Sequence, residues 1–477
     1  MAHHFQCKPA ARALLSVLLA AALASALPAA HAEALDLRQA AALALAHNAD
    51  LRLATLDAAS ADAAVTIAGA APNPTLTLQS FNINPNAGVG AGSLRNKTVD
   101  SAIRVDQLIE RGGKRQLRVA NAGSLATASA QDALDMRRQV LLQVGQAYYD
   151  LLAAEGRLAI MEDSARLFDQ TVEAARKRLK AGDLAPADVA RVQVDALRAH
   201  NDAAQAGSDR YAARQALAML IGQPELAAGL EVADAWPAVR PASQWLADAL
   251  APAGQAKSWP AARDGSGAVG AMAPNNADAA AANPNAASAT DDALQAALAR
   301  RPDVAAAQAR VAAAEAGRKL ALASRSADVT VGVQAEHYPT SAANPQGSGN
   351  SFGIALQIPL QVRYAYQGEL RAADIALDSA QQRLQQVRQR ARAELELSLE
   401  QVRTAGQKLR RDDEELLRAA GKSADAAEFA FQRGALGIMD LLDVRRTYRS
   451  AQLDALAARA DYAKSVAALQ AAVPEGK

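Results

Sequence analysis

VTVGVQAEHYPTSAANPQGSGNSFGIALQIPL, residues 329–360, is the stretch on which the fold turns. Apolar side chains alternate with small or polar ones at Val329, Val331 and Val333. They do so again at Phe352, Ile354, Leu356 and Ile358. That is the period of a strand with two unlike faces. Turn residues fill PTSAANPQGSGN between the runs, so the pair predicts a hairpin. TLTLQSFN (75–82) and TVDSAIRVDQL (98–108), flanking NINPNAGVGAGSLRNK, predict a second. Each run is close to the roughly 9–11 residues that cross a bilayer as a tilted strand.

Around these hairpins the chain reads as helix. From Leu141 the apolar positions run through Val144, Tyr148, Leu151, Leu158, Met161, Ala165, Phe168, Val172, Ala175 and Leu179. Steps of three and four predominate, as in a coiled coil. No proline interrupts residues 114–180. They predict a nearly continuous rod about 100 Å long at ~1.5 Å per residue. A second rod is expected from Tyr366 to Arg433. The helix returning from it continues the seam through Leu441, Val444, Tyr448, Ala451, Ala455, Ala458 and Tyr462. A globular domain has no use for rods of this length, whereas spanning a space does.

The mature chain is duplicated. AHNADLRLATL, from residue 46, matches ARRPDVAAAQA, from residue 299, and QLRVANA (116–122) matches ELRAADI (369–375). The expected organisation is a first repeat over 33–222, an Ala/Pro/Asn/Gly-rich linker over 223–290, a second repeat over 291–473 and a tail over 474–477. Residues 1–32 read as a signal peptide. Lys8 and Arg12 precede the apolar ALLSVLLAAALASALPAA, and Ala30-His31-Ala32 fits cleavage after Ala32. Cys7, the only cysteine, lies ahead of the apolar core. It leaves with the leader, so no disulfide, thiolate site or lipid anchor is expected.

Bulk charge is balanced, with 51 basic against 50 acidic residues. Nucleic acid is not indicated as a partner. After leader removal only His47, His200 and His337 remain, scattered along the chain. No metal site, cofactor or catalytic constellation is expected, and the chain does not read as an enzyme.

Energetics narrows the architecture. An open sheet in lipid leaves edge N–H and C=O groups unpaired, at several kcal/mol each. Four strands cannot close a barrel, since the smallest membrane barrels have about eight. A membrane role therefore requires copies to pool their strands. The alternative is a soluble coiled-coil scaffold, with the hairpins as caps on a helical bundle and no oligomer required.

Leader, duplicated halves, paired hairpins and long coiled helices together resemble the outer-membrane efflux proteins of the TolC type, over 35–223 and 291–473. QLIERGGKRQLRVANA resembles the cation-efflux, CzcC-like branch, and RGALGIMDLLDVRRTY (433–448) resembles the family's periplasmic tip. The resemblance implies a mainly α chain with a small β part. Long coiled-coil helices would form a periplasmic α-barrel, and four strands per chain would join a trimeric twelve-stranded outer-membrane β-barrel. It implies a homotrimer in outer-membrane lipid, working with a periplasmic adaptor (membrane fusion) protein and an inner-membrane RND pump. Heavy-metal cations are the favoured cargo. Drug or small-molecule efflux and type I secretion are the alternatives.

Site residues follow from the tip. Asp440 and Asp443 lie three apart on the returning helix and so share a face. The resemblance implies that such a pair lines the periplasmic entrance as rings of negative charge, with Arg445 and Arg446 as candidate partners holding it shut. Read without the resemblance, Asp440 is a first-turn acid favoured by the helix dipole and Asp443 an exposed charge. Gly434 and Gly437 are expected to let the backbone reverse or take positive φ. Leu436 and Ile438 between them are candidate adaptor contacts. Gly182 and Leu184 form the corresponding tip of the first half, where Arg191 stands in place of the second carboxylate. Gly112 and Gly113 mark the passage from strand to helix. KLRRDDEELLR (408–418) reads as a solvated helix face.

Overall fold

The computed structural model describes residues 34–81, 83, 99–233, 235–250, 292, 294–339, 347 and 349–473. The leader with Cys7, most of the two hairpin loops, the greater part of the Ala/Pro-rich linker and the tail at 474–477 lie outside the described residues.

Element order repeats. After α1 (Leu37–His47) come α2 (Ala49–Gly69), β1 (Thr75–Phe81), β2 (Asp100–Ile109), α3 (Lys114–Ala181) and α4 (Pro186–Leu220). A short 3-10 turn at Pro224–Ala228 and α5 (Ala242–Leu250) lead to the second set. This comprises α6 (Pro302–Ala323), β3 (Val329–Tyr338), β4 (Gly349–Gln357), α7 (Gln367–Arg410), α8 (Leu417–Gln432) and α9 (Ile438–Ala472). Among the described residues no helix is long and apolar enough to cross a membrane.

The long rods form as their spacing predicts. α3 is one unbroken helix of 68 residues. Its seam from Val144 through Ala175 is buried, and Leu179 packs against the same core. The second rod differs. Arg411–Leu416, joining α7 to α8, buries none of its residues, as a solvated face should, but its backbone is a π-helical turn. A π turn accommodates one residue more than an α turn. The charged run leaves no apolar stripe from which that insertion could be read. Arg459 of α9 pairs with Asp413 in this turn.

β1, β2, β3 and β4 form one antiparallel sheet in that order. The register sorts side chains sharply. Leu76, Val105, Val333 and Ile354 share one row, and Leu78, Ile103, Ala335 and Phe352 the next row on the same face. On the opposite face lie Thr77, Arg104, Gln334 and Gly353, then Thr75, Asp106, Gly332 and Ala355. The apolar side chains of the first face are exposed in the single chain, Ala335 being partly covered. An apolar outer face with a polar inner one is the arrangement of a membrane barrel wall.

The helices above the equator repeat the order of the strands. α2 packs on α3, α3 on α6 and α6 on α7. α2 buries none of its residues, leaving Leu53, Leu56 and Ile67 exposed. At the other margin Ile375 and Leu397 of α7 are exposed. A belt of 3-10 turn and α5 crosses the waist. It is fastened by the Tyr462 hydroxyl, which accepts hydrogen bonds from the Arg240 N–H (2.9 Å) and the Trp245 indole N–H (3.0 Å).

Candidate functional site: the paired helical tips

α3/α4 and α8/α9 each end in a reversal. At the first, Gly182 has φ 82° and its N–H donates to the Leu179 carbonyl, while the Asp183 N–H reaches the Arg178 carbonyl. At the second, Gly434 has φ 74°, and the Ala435 N–H donates to the Ala430 carbonyl. Both are helix stops built on a left-handed residue, a conformation that glycine adopts without steric cost. Gly437 departs from expectation. It is extended (φ −71°, ψ 154°) and serves as the N-cap of α9, so it needs no positive φ. A Cβ there would sit 3.2 Å from the Asp440 carboxylate, so that exposed side chain would have to shift by a few tenths of an ångström.

Asp440 stands at the third position of α9, and Asp188 holds the matching place in α4. Both carboxylates face the positive end of a helix, as first-turn acids do. Asp443 lies beyond that turn, so the dipole does not explain it. Asp440 and Asp443 are both exposed. Among the described residues neither carboxylate has an ion-pair partner within the protomer.

The arginines next to them point elsewhere. Arg445 donates to the Leu167 carbonyl of α3 (3.0 Å), to the Thr171 hydroxyl and to the Glu428 carboxylate of α8. Arg446 pairs with Asp195 of α4 at 2.5 Å, and one turn on Arg449 meets Asp202 at 3.4 Å. The expected pairing of Arg445 and Arg446 with the aspartates does not occur inside one chain. These cations instead stitch α9 to its three neighbours. The apolar candidates are also repositioned. Ile438 is only 5% exposed and belongs to the tip core with Leu441 and Leu442. Leu436 and Leu184 are partly buried against that core, while Gly182, Gly434 and Gly437 are exposed. Ile438 turns inward because it opens the apolar seam of α9, three residues after the surface-facing Gly434–Ala435 turn.

One contact went unread in the sequence. Arg178, in the last turn of α3, donates to the Phe431 carbonyl at the end of α8 (3.0 Å). Its guanidinium also lies 4.2 Å from the Phe431 ring centroid. A cation at a helix C-terminus complements the dipole and the unpaired carbonyls there. Here the cation comes from the other hairpin. Its last-turn position was a visible signal, but it pointed to α3's own end rather than to α8.

At the other end, where sheet meets helix, Gly112 and Gly113 make the passage into α3 with φ 74° and 70°. Lys114 donates to the Asp328 carboxylate (2.8 Å) and the Ser326 carbonyl (2.7 Å), while Arg115 donates to the Gly69 carbonyl (2.5 Å). Arg118 grips Glu110 through both carboxylate oxygens. The ERGGKRQLR run is thus a collar: its neighbouring cations tie down the end of α2 and the turn between α6 and β3.

A four-stranded wall with one apolar and one polar face, set on rods that reverse at charged tips, defines a membrane conduit. The chain belongs to the outer membrane efflux protein family, whose model matches residues 40–223 and 293–474. It is therefore an outer-membrane efflux channel, a transporter rather than an enzyme, and the soluble scaffold is set aside. Over 166 residues it is 31% identical to the cobalt-zinc-cadmium resistance protein CzcC of Cupriavidus metallidurans. That stretch spans 34% of this chain and 39% of the relative's length. Among solved structures, CusC superposes with a TM-score of 0.67 at 17% identity, covering 92% of each chain. VceC of Vibrio cholerae gives 0.67 at 17% identity, over 92% of this chain and 96% of that one.

Proposed function

We propose that this chain is the homotrimeric exit duct of a tripartite efflux system. Its tip joins a periplasmic adaptor and an inner-membrane RND pump, and heavy-metal cations are its cargo. One observation carries the trimer. Sheet and upper helices are laid in the same open order, with β1 and α2 at one margin and β4 and α7 at the other. Both margins expose what lipid or water penalises, namely strand edges on the sheet and apolar side chains on the helices. Joining margin to margin around an axis satisfies strands and helices together, and three copies supply twelve strands. The cargo reading rests on the stretch shared with a cobalt-zinc-cadmium resistance protein.

In this assembly Asp440 and Asp443 form stacked rings of carboxylates at the periplasmic entrance. Rings of one charge sign attract counter-ions and repel co-ions. Their exposure supports the role, as does the engagement of Arg445 and Arg446 elsewhere: any partner must come from a neighbouring protomer. Asp440→Ala with Asp443→Ala is expected to weaken block by divalent cations added on the periplasmic side of a planar bilayer, or to raise single-channel conductance. Unchanged block with unchanged conductance would remove the gate from the account.

A further inference from the structure

The two halves pass from strand to helix at different lengths. β2 reaches α3 through four residues, Glu110–Gly113. β4 reaches α7 through nine, IPLQVRYAY (358–366). The longer passage adds five residues between sheet and helix. It carries Leu360 and Val362 at 80% and 84% exposure, followed by an exposed Tyr364. These side chains are held outward on a tethered backbone. Gln361 donates to the Ser324 carbonyl (3.3 Å), and Arg325 donates to the Ala365 carbonyl (3.2 Å). The Tyr364 hydroxyl donates to Glu369 (2.6 Å) and accepts from the Gly368 N–H (2.8 Å). Tyr366 takes φ 62° to enter α7.

Charge distinguishes the same level. Lys114, Arg115, Arg118 and Arg325 each have a partner. Arg111 and Arg363 are exposed, and among the described residues neither guanidinium has one. The Arg111 N–H donates to Asp328 at 2.9 Å. Carrying the Thr330–Gln357 register two residues on sets Asp328 opposite Pro359. Arg111 therefore lies level with the start of the exposed segment, where the apolar band of the sheet ends.

We propose that segment 358–366 and Arg111 bind the headgroups of anionic phospholipids in the leaflet beside the helices. The surface is continuous with the lipid-facing wall. Leu360 and Val362 extend the apolar band, tyrosine sits at the polar boundary as interfacial aromatics do, and the two arginines meet phosphodiester oxygens. Two cations without a compensating carboxylate favour a lipid of net negative charge over a zwitterion. The inference rests on the outer-membrane reading, and, because segment 358–366 joins β4 to α7 at the margin assigned to the trimer seam, on the outward side of that seam staying open to lipid; it does not rest on the gate or the cargo.

The full-length channel, equilibrated in mild detergent with equal amounts of phosphatidylglycerol and phosphatidylcholine, is passed through delipidating washes, and retained lipid is counted by native mass spectrometry. Phosphatidylglycerol is expected to be retained preferentially. R111Q/R363Q lowers that retention about thirtyfold, whereas R388Q, an exposed arginine farther along α7, leaves it unchanged. Leu360→Ser with Val362→Ser lowers retention of both lipids. Equal retention of the two lipids by the native chain overturns the proposal. So does unchanged phosphatidylglycerol retention in R111Q/R363Q, or an equal loss in R388Q. R111Q/R363Q should conduct normally in planar bilayers, so failure here is distinguishable from failure of the duct.

Discussion

Arg301 is 1% exposed at the start of α6, between Asp303 and Glu394, each 2.8 Å away. Burial alone would push both carboxyls up. Hydrogen bonds from Arg301 and its charge outweigh that and hold both below their ordinary range. A depressed carboxyl stabilises the fold above its unfolded pKa of about 4 and loses that contribution as pH falls further, through its folded value. Asp303→Asn leaves a buried cation half-paired, so it should cost about 3 kcal/mol at neutral pH. It should also flatten the fall in stability below about pH 4, read from denaturant-induced loss of helical circular dichroism. An acid limb as steep as the native one would contradict this. Nothing in the sequence singled out Arg301, since an arginine before a proline reads as loop. That Asp440 and Asp443 share an exposed helix face was legible because their spacing is local, whereas the partners of Arg445 lie on other helices and are brought together only by folding.

Elements were read best where a period is long. The buried seam of α3 and the alternation of β3 and β4 needed only pattern, and both appear in the structure. The π turn at Arg411–Leu416 and the capping role of Gly437 did not, because each depends on backbone geometry that side-chain type does not announce. Packing across the sheet is similarly hidden. Gly332 faces Arg104 and Asp106, which pair at 2.8 Å, and a Cβ on it would fall 2.3 Å from the Asp106 carboxylate. Gly332→Ala must displace that pair on the polar face. It is expected to cost about 1–3 kcal/mol, seen as an earlier thermal transition of the strand signal. A melt identical to the native protein would show that the pair moves aside freely.

At the scale of the molecule, a single chain leaves its four-stranded sheet open. Among the described residues its sheet has two unpaired edges and its upper helices two uncovered margins, and these coincide because strands and helices are laid in one order. That four strands are too few to close a barrel was legible in the sequence as a count of hairpins. Which elements end up at the margins was not, since that depends on where α3 and α6 pack. The account therefore turns on how many chains share one barrel. Light scattering on the detergent-solubilised, full-length protein, with the detergent contribution subtracted, measures that directly. Three chains per particle is the predicted mass, and a stable particle containing a single chain would contradict it.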